Sequence, residues 1–303
     1  MDRKAGDADQ ITREYFDALL VELRHLDAVK PDTSLELYGH TFATPVMMAA
    51  LSHLKGKGGE GDGMVQMAQG ALARNAVNWA GMGDEAQLDA ILATGAKTIK
   101  IIKPYADRER VYRKIAHAEK NGALAVGIDI DHAFGGSGDY DVVLGHPMRP
   151  VTTAELKDFV KATRLPFVIK GVLSVQDAVK CAEAGVQGIV VSHHHSILPY
   201  AVPPLVVLPE IVKAIGGRLP IFVDCGIARG MDVFKALALG ATAVSAGRIV
   251  MPPLREDGPD GVARVIDEMT RELAGAMART CSPDIRHIDA ACIRTPFAFT
   301  ASR

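Results

Sequence analysis

The sequence predicts a (β/α)8 TIM barrel with an N-terminal helical extension, in the α/β class. Three observations predict it. Eight short apolar runs recur along the chain, amphipathic stretches with three-to-four apolar spacing separate them, and several runs are apolar without alternation, as in Gly188-Ile189-Val190-Val191. A strand that reads apolar throughout is covered on both faces, the habit of parallel strands joined by right-handed helical crossovers. An open doubly wound sheet is the alternative. It would place a glycine-rich phosphate turn after its first strand, but Gly56, Gly58, Gly59, Gly61 and Gly63 lack the GxGxxG spacing.

The elements follow in order. Residues 1–44 read as an extension, 45–280 as the barrel and 281–303 as a tail, all in one domain. In the extension, Tyr15, Leu19 and Leu23 form one stripe, so 11–26 is predicted as a helix that caps the barrel floor. Strands are predicted at 46–51, 76–79, 98–102, 124–130, 166–170, 188–192, 220–224 and 243–247. Helices are predicted at 107–120, 153–163, 175–184 and 205–215. The long connection 132–150 contains Gly135, Gly136, Gly138 and Gly145 and reads as a lid or a disordered loop. Beyond the eighth strand, 252–261 reads as a loop and 262–277 as a closing helix.

With 48% hydrophobic and 23% charged residues, the 303-residue chain buries a full core, which excludes general disorder. The balance of 34 basic against 36 acidic residues gives no field for a polyphosphate backbone, so no nucleic-acid partner is expected. No uninterrupted apolar run approaches the ~18 residues of a membrane span, and a soluble, cytoplasmic protein without a membrane partner is expected. Cys181, Cys225, Cys281 and Cys292 form no CxxC pair and read as free thiols.

The C-terminal ends of barrel strands carry the chemistry, and here they are polar. They present Ser52 and His53, Asn78, Lys103, Asp129 with Asp131 and His132, Lys170, Ser192 to His195, Asp224, and Gly247-Arg248. Lys170 closes the apolar run Phe167-Val168-Ile169, where an ammonium needs an anionic partner. Three readings follow: an ion pair with Asp129 or Asp224, a partner for an anionic cofactor, or a Schiff-base lysine. In Ser192-His193-His194-His195, extended geometry lets only one or two rings face the mouth. Adjacent histidines have no established ligand spacing, so no metal is assigned and a general base is the favoured role. Gly226 and Gly247, with Arg248 and the helix starts beside them, form a phosphate-binding corner.

The stretch Pro166 to Ser174, the Gly-Ile-Val-Val-Ser run to His194, Leu208-Pro209-Glu210, Asp224 with Gly226, and Asp232 to Gly240 resemble the FMN-dependent 2-hydroxy acid oxidase and dehydrogenase family. The resemblance implies FMN across the barrel mouth, with Asp224, Gly226, Arg229, Gly247 and Arg248 at its phosphate side. It implies Lys170 beside the flavin ring, a ring contact from Ser192, backbone contacts from Ala49 and Ala50, and Asn78 where relatives carry a hydroxyl. His194 matches the histidine that takes the substrate proton. By analogy the assembly is a homotetramer.

The chain also departs from the family pattern. Ile197 stands where relatives carry the arginine that clamps the substrate carboxylate. Ile101 and Lys103 replace a glutamine and a tyrosine, Asp129 replaces a threonine, and Ala228 an arginine. Isoleucine cannot imitate a bidentate guanidinium. With Lys103, Asp129, His194 and Ile197 facing a small-molecule substrate, the expectation is an FMN-dependent oxidoreductase acting on an alcohol or 2-hydroxy-acid-like compound larger or greasier than the usual small acids. A flavin isomerase or dehydratase without net redox is the alternative, followed by a catalytically altered flavin-binding homologue and a Schiff-base aldolase.

Overall fold

The computed structural model describes residues 5–295. Eight parallel strands form the barrel: β1 (Val46–Met48), β2 (Asn78–Ala80), β3 (Thr98–Ile102), β4 (Ala125–Asp129), β5 (Phe167–Val172), β6 (Gly188–Val191), β7 (Ile221–Val223) and β8 (Ala243–Ala246). Around the wall they run β1, β8, β7, β6, β5, β4, β3, β2. The Met48 amide closes the ring by donating to the Val77 carbonyl at 3.0 Å. Trp79 and Phe222 meet edge to face across the interior, with ring centroids 5.6 Å apart. Counting by twos from such inward residues carries the alternation up to Asp129, Lys170, Ser192 and Asp224 at the mouth. The register sets Lys170 beside Asp129 on one flank and beside Val190 on the other.

Outside lie α1 (Ala8–Ala18), α2 (Gly63–Ala73), α3 (Glu85–Ala93), α4 (Arg108–Lys120), α5 (Thr153–Lys161), α6 (Val175–Glu183), α7 (Pro204–Ile215), α8 (Gly230–Ala238), α9 (Met251–Asp257) and α10 (Pro259–Ala278). Polar side chains at Asp62, Asp84, Asp107, Thr152 and Ser174 cap the N-termini of α2 to α6, where the first amides lack helical partners.

Four expectations are corrected. The N-terminal helix starts at Ala8, capped by Asp7, and ends at Ala18. It buries Thr12 and Phe16; of the expected Tyr15, Leu19 and Leu23 stripe, Leu19 is buried just past the helix and Tyr15 packs partly against the core, whereas Leu23 is exposed. It covers the mouth of the barrel, not its floor, because Thr12 and Phe16 pack on Gly226 just past β7. Pro252 and Pro253 open α9 instead of forming a loop, since a proline in a first turn gives up an amide that has no helical partner there.

The 132–150 connection folds back as a short hairpin, Val142–Val143 against His146–Pro147. Buried Met148 pins it by pairing with Tyr105. Residues 281–295 pack on the N-terminal segment, with Ile293–Arg294 antiparallel to Leu20–Val21. The rest of the expected tail, 296–303, lies outside the described residues. No helix among the described residues is long and apolar enough to cross a membrane.

Candidate active site

A cavity of about 730 Å3 opens over the barrel mouth, within the ordinary size range of small-molecule sites. Its strand-end wall comes from Ala49, Ala50 and Leu51 after β1, Lys170 on β5, Asp224 to Ala228 after β7, and Ser245, Gly247 and Arg248 at β8. Asp7, Asp9, Gln10 and Arg13 of the α1 segment cover it.

Lys170 is the cation of the floor and is 6% exposed. Its Nζ lies 3.4 Å from Asp224 Oδ2 and 3.3 Å from both Ser192 Oγ and His194 Nδ1. Burial alone would lower the ammonium, but the charges of Asp224, Asp129 and Asp131 outweigh it and hold the group above its ordinary value. The same attraction, working against burial, holds the Asp224 carboxyl below its ordinary range. Lys170 therefore stays charged.

Extended backbone ends before the histidine run, and His194, His195 and Ser196 take positive φ of 45°, 64° and 61°. Non-glycine residues adopt that conformation at a cost, usually where function requires it. The turn sends three neighbouring rings to three places. His193 bonds Thr12 Oγ1 at 2.8 Å, and His195 meets Asp9 Oδ2 at 3.0 Å. His194 lines the cavity with Nδ1 2.8 Å from Asp131 Oδ1 and 3.3 Å from Asp129 Oδ1. Burial works against its charged form, and the two carboxylates more than offset that, raising the imidazole. Burial pushes Asp131 up to about 6, with the charge of Asp129 acting in the same direction.

Several expected site residues gather as anticipated around one space. Lys170, His194, Asp224, Gly226, Gly247, Arg248, Ala49 and Ala50 line the cavity, and Ser192 supports Lys170 from below. Others do not. Asn78 alternates with inward Trp79, so it points away from the barrel axis and bonds Thr98 Oγ1 at 3.1 Å. Arg229 reaches out to Asp17 at 3.3 Å and leaves the cavity wall to Ile227 and Ala228. Asp129 is buried, and Lys103 is committed to it at 2.8 Å, so neither lines the cavity. Ile197 sits 39% exposed outside it.

Lining residues that escaped the sequence reading include Arg13, Asp9 and Cys225. Arg13 bonds Asp232 through both nitrogens and the Gly226 carbonyl at 2.9 Å. Asp9 pairs with Arg248 at 3.0 Å. Cys225, at φ 63°, donates its thiol to Asp224 at 3.1 Å, and burial pushes that thiol up to about 12. An aspartate in the first turn of a helix that Asp7 caps was the available signal for Asp9. Arg13 had none, since the contacts that seat it at the cavity, to Gly226 and Asp232, lie more than 200 residues away in sequence.

The residues present fit FMN. A buried ammonium faces one end of the cavity, a guanidinium faces the β8 end, and Ala49, Ala50, Leu51, Ile227 and Ile249 give apolar wall for a flat ring. At Gly247 an added Cβ would come no closer than 3.5 Å to any neighbour, so the wall there is open.

Fold and site together define a flavin oxidoreductase of the barrel class. The family model for FMN-dependent dehydrogenases matches residues 2–155 and 143–295, and the chain belongs to that family. A peroxisomal (S)-2-hydroxyacid oxidase of Arabidopsis thaliana is 30% identical, over 89% of this chain and 83% of that protein. Glycolate oxidase of Spinacia oleracea is 28% identical over 99% and 92%. A crystal structure of mandelate oxidase superposes with a TM-score of 0.83, 26% identity and coverage of 96% and 90%. A mandelate oxidase variant carrying an FMN monooxide adduct gives a TM-score of 0.84 at 28% identity, covering 95% and 91%. The protein is an FMN-dependent oxidoreductase of the 2-hydroxy acid oxidase type.

Proposed function

We propose that the enzyme oxidises a 2-hydroxy acid, or a closely related secondary alcohol, that is bulkier and less polar than glycolate or lactate. The carrying observation is the 3.3 Å approach of Lys170 Nζ to His194 Nδ1 on the cavity wall, which sets an acid–base ring and a fixed cation within reach of one bound molecule. FMN held in this cavity would supply the two-electron acceptor for a substrate hydride.

His194 takes the hydroxyl proton of the substrate. Asp131 holds its ring in register and favours the cation that results. Lys170, kept charged by Asp224, would lie beside the ring system and balance negative charge arriving there. Ser192 Oγ accepts from both Lys170 and the His194 amide, fixing the two groups relative to each other.

The substrate class rests on what the rim lacks. Ile197 replaces a carboxylate clamp, Lys103 is occupied by Asp129, and Leu198 and Tyr200 are exposed nearby. The likeness to mandelate oxidases points the same way, mandelate being an aromatic 2-hydroxy acid. The proposal includes a cytoplasmic homotetramer, its assembly supported by the resemblance and measurable by light scattering.

Anaerobic mixing of the FMN-loaded enzyme with glycolate, lactate, and aromatic or long-chain 2-hydroxy acids and their esters tests the reading. The expected result is flavin bleaching at least tenfold more efficient with the bulky compounds. Preference for glycolate removes the substrate class, and an unchanged flavin with every compound removes the oxidase reading.

A further inference from the structure

A second cavity, of about 750 Å3, opens where the loops after β1, β2 and β3 meet the starts of α3 and α4, with Leu144 and His146 of the 132–150 hairpin on its wall. It shares no lining residue with the cofactor cavity. One turn of α4 places three cations on this wall, Arg110, Arg113 and Lys114, because positions three and four apart share a helix face. Met82 and Leu144 supply apolar surface.

Like charges one turn apart repel unless counter-charges meet them. Arg113 has Asp107 at 3.8 Å. Among the described residues no carboxylate pairs with Arg110 or Lys114. Arg110 Nη1 instead lies 2.7 Å from Nδ1 and 2.9 Å from Nε2 of His146, and the guanidinium stands 4.7 Å from the Tyr105 ring centroid. Lys114 Nζ donates to the Gly83 carbonyl at 3.1 Å, which uses one of its three N–H groups. The wall also carries two carboxylates, both directed elsewhere. Asp84 caps α3 by accepting from the Gln87 amide at 2.8 Å, and Glu85 faces His117 at 3.9 Å. Burial, then the charge of Arg110, lower the Lys114 ammonium from its ordinary value. An anion in the cavity would oppose that shift.

We propose that this cavity binds a phosphate monoester of a small organic molecule, with Arg110 and Lys114 holding phosphate oxygens and Arg113 at the open rim. Three cations call for more than one negative charge, and a phosphate monoester carries about −1.5 to −2 near pH 7. A planar guanidinium fork and a compact ammonium are the usual partners of phosphate oxygens. The volume lies within the ~300–1,000 Å3 of sites for whole organic ligands, more than a bare phosphate ion fills, and Met82 and Leu144 give the organic part apolar contact. The site rests on its own cavity and cations and stands without the oxidase reading.

The test is isothermal titration calorimetry of the FMN-loaded protein with glucose 6-phosphate, AMP, inorganic phosphate, succinate and glucose. One site per chain with a submillimolar Kd is expected for at least one of the two esters, with inorganic phosphate and succinate at least tenfold weaker and glucose not bound. Arg110→Met and Lys114→Met should each weaken the ester at least tenfold, whereas Lys213→Met on α7 should leave it unchanged. Flavin retention and thermal melting show whether each variant is folded, and Lys114→Met carries the test if Arg110→Met is not. No ester binding, less than tenfold weakening in either folded variant, or phosphate, succinate or glucose bound within tenfold of the ester overturns the proposal. The titration involves no turnover, so its failure leaves the oxidase reading standing, and a protein that binds the ester but oxidises nothing counts against the oxidase reading alone.

Discussion

Lys170 and Asp224 form a buried ion pair, Nζ to Oδ2 at 3.4 Å, with side chains 8% and 11% exposed. Removing one member strands the other charge in a poor solvent for it, at a cost of about 3–5 kcal/mol. Lys170→Met is therefore expected to lower the melting temperature and to release FMN, whereas Lys213→Met on the exposed side of α7 changes neither. Thermal melting and flavin fluorescence measure both. Equal behaviour of the two variants would remove Lys170 from cofactor binding.

Asp9 holds Arg248 at 3.0 Å and His195 at 3.0 Å across the cavity. A cofactor phosphate bound by that guanidinium would have to compete with the carboxylate. Asp9→Asn keeps the shape and deletes the charge. FMN affinity should rise about fivefold, the equivalent of roughly 1 kcal/mol for a partly exposed pair. A fluorescence titration in which affinity falls would show that Asp9 supports the phosphate side instead.

Gly226 has φ +80°, and an added Cβ would come within 2.7 Å of Thr12 Cγ2 and 3.0 Å of the Phe16 ring. Gly226→Ala combines backbone strain of about 1–3 kcal/mol with displacement of α1 from the mouth. Urea unfolding should show the loss, and hydrogen exchange should show faster exchange in α1. Unchanged protection of α1 would mean that the helix does not depend on this contact.

Much of this architecture was legible. The apolar runs of β5 to β8 are buried on both sides, so their pattern does not depend on the rest of the chain, and the mouth residues Lys170, His194, Asp224 and Gly247 follow from their ends. Facing direction was less legible. Asn78 was assigned to the mouth, but direction is set by a one-residue phase, and Trp79 takes the interior. The seat of α1 depends on Phe16 meeting Gly226, a contact that no local pattern encodes. The left-handed turn at His194 to Ser196 carries no glycine to announce it.

Lys100 is 4% exposed and donates to the Gly81 carbonyl. Burial, helped by the charge of Lys114, pushes its ammonium down to about 7 from an ordinary 10.5. Between those values the unfolded chain holds a proton that the folded chain has released, so stability rises with pH across that window. Lys100→Met should flatten this rise. Melting curves from pH 7 to about 9 that rise equally in both proteins would contradict the assignment.

Anaerobic stopped-flow reduction of bound FMN by an aromatic 2-hydroxy acid tests the central claim most directly, comparing wild type with His194→Ala. The account predicts a variant that keeps its yellow flavin but bleaches it about 10²–10⁴-fold more slowly. A variant that bleaches at the wild-type rate, or a wild type that takes up no FMN at all, would contradict it.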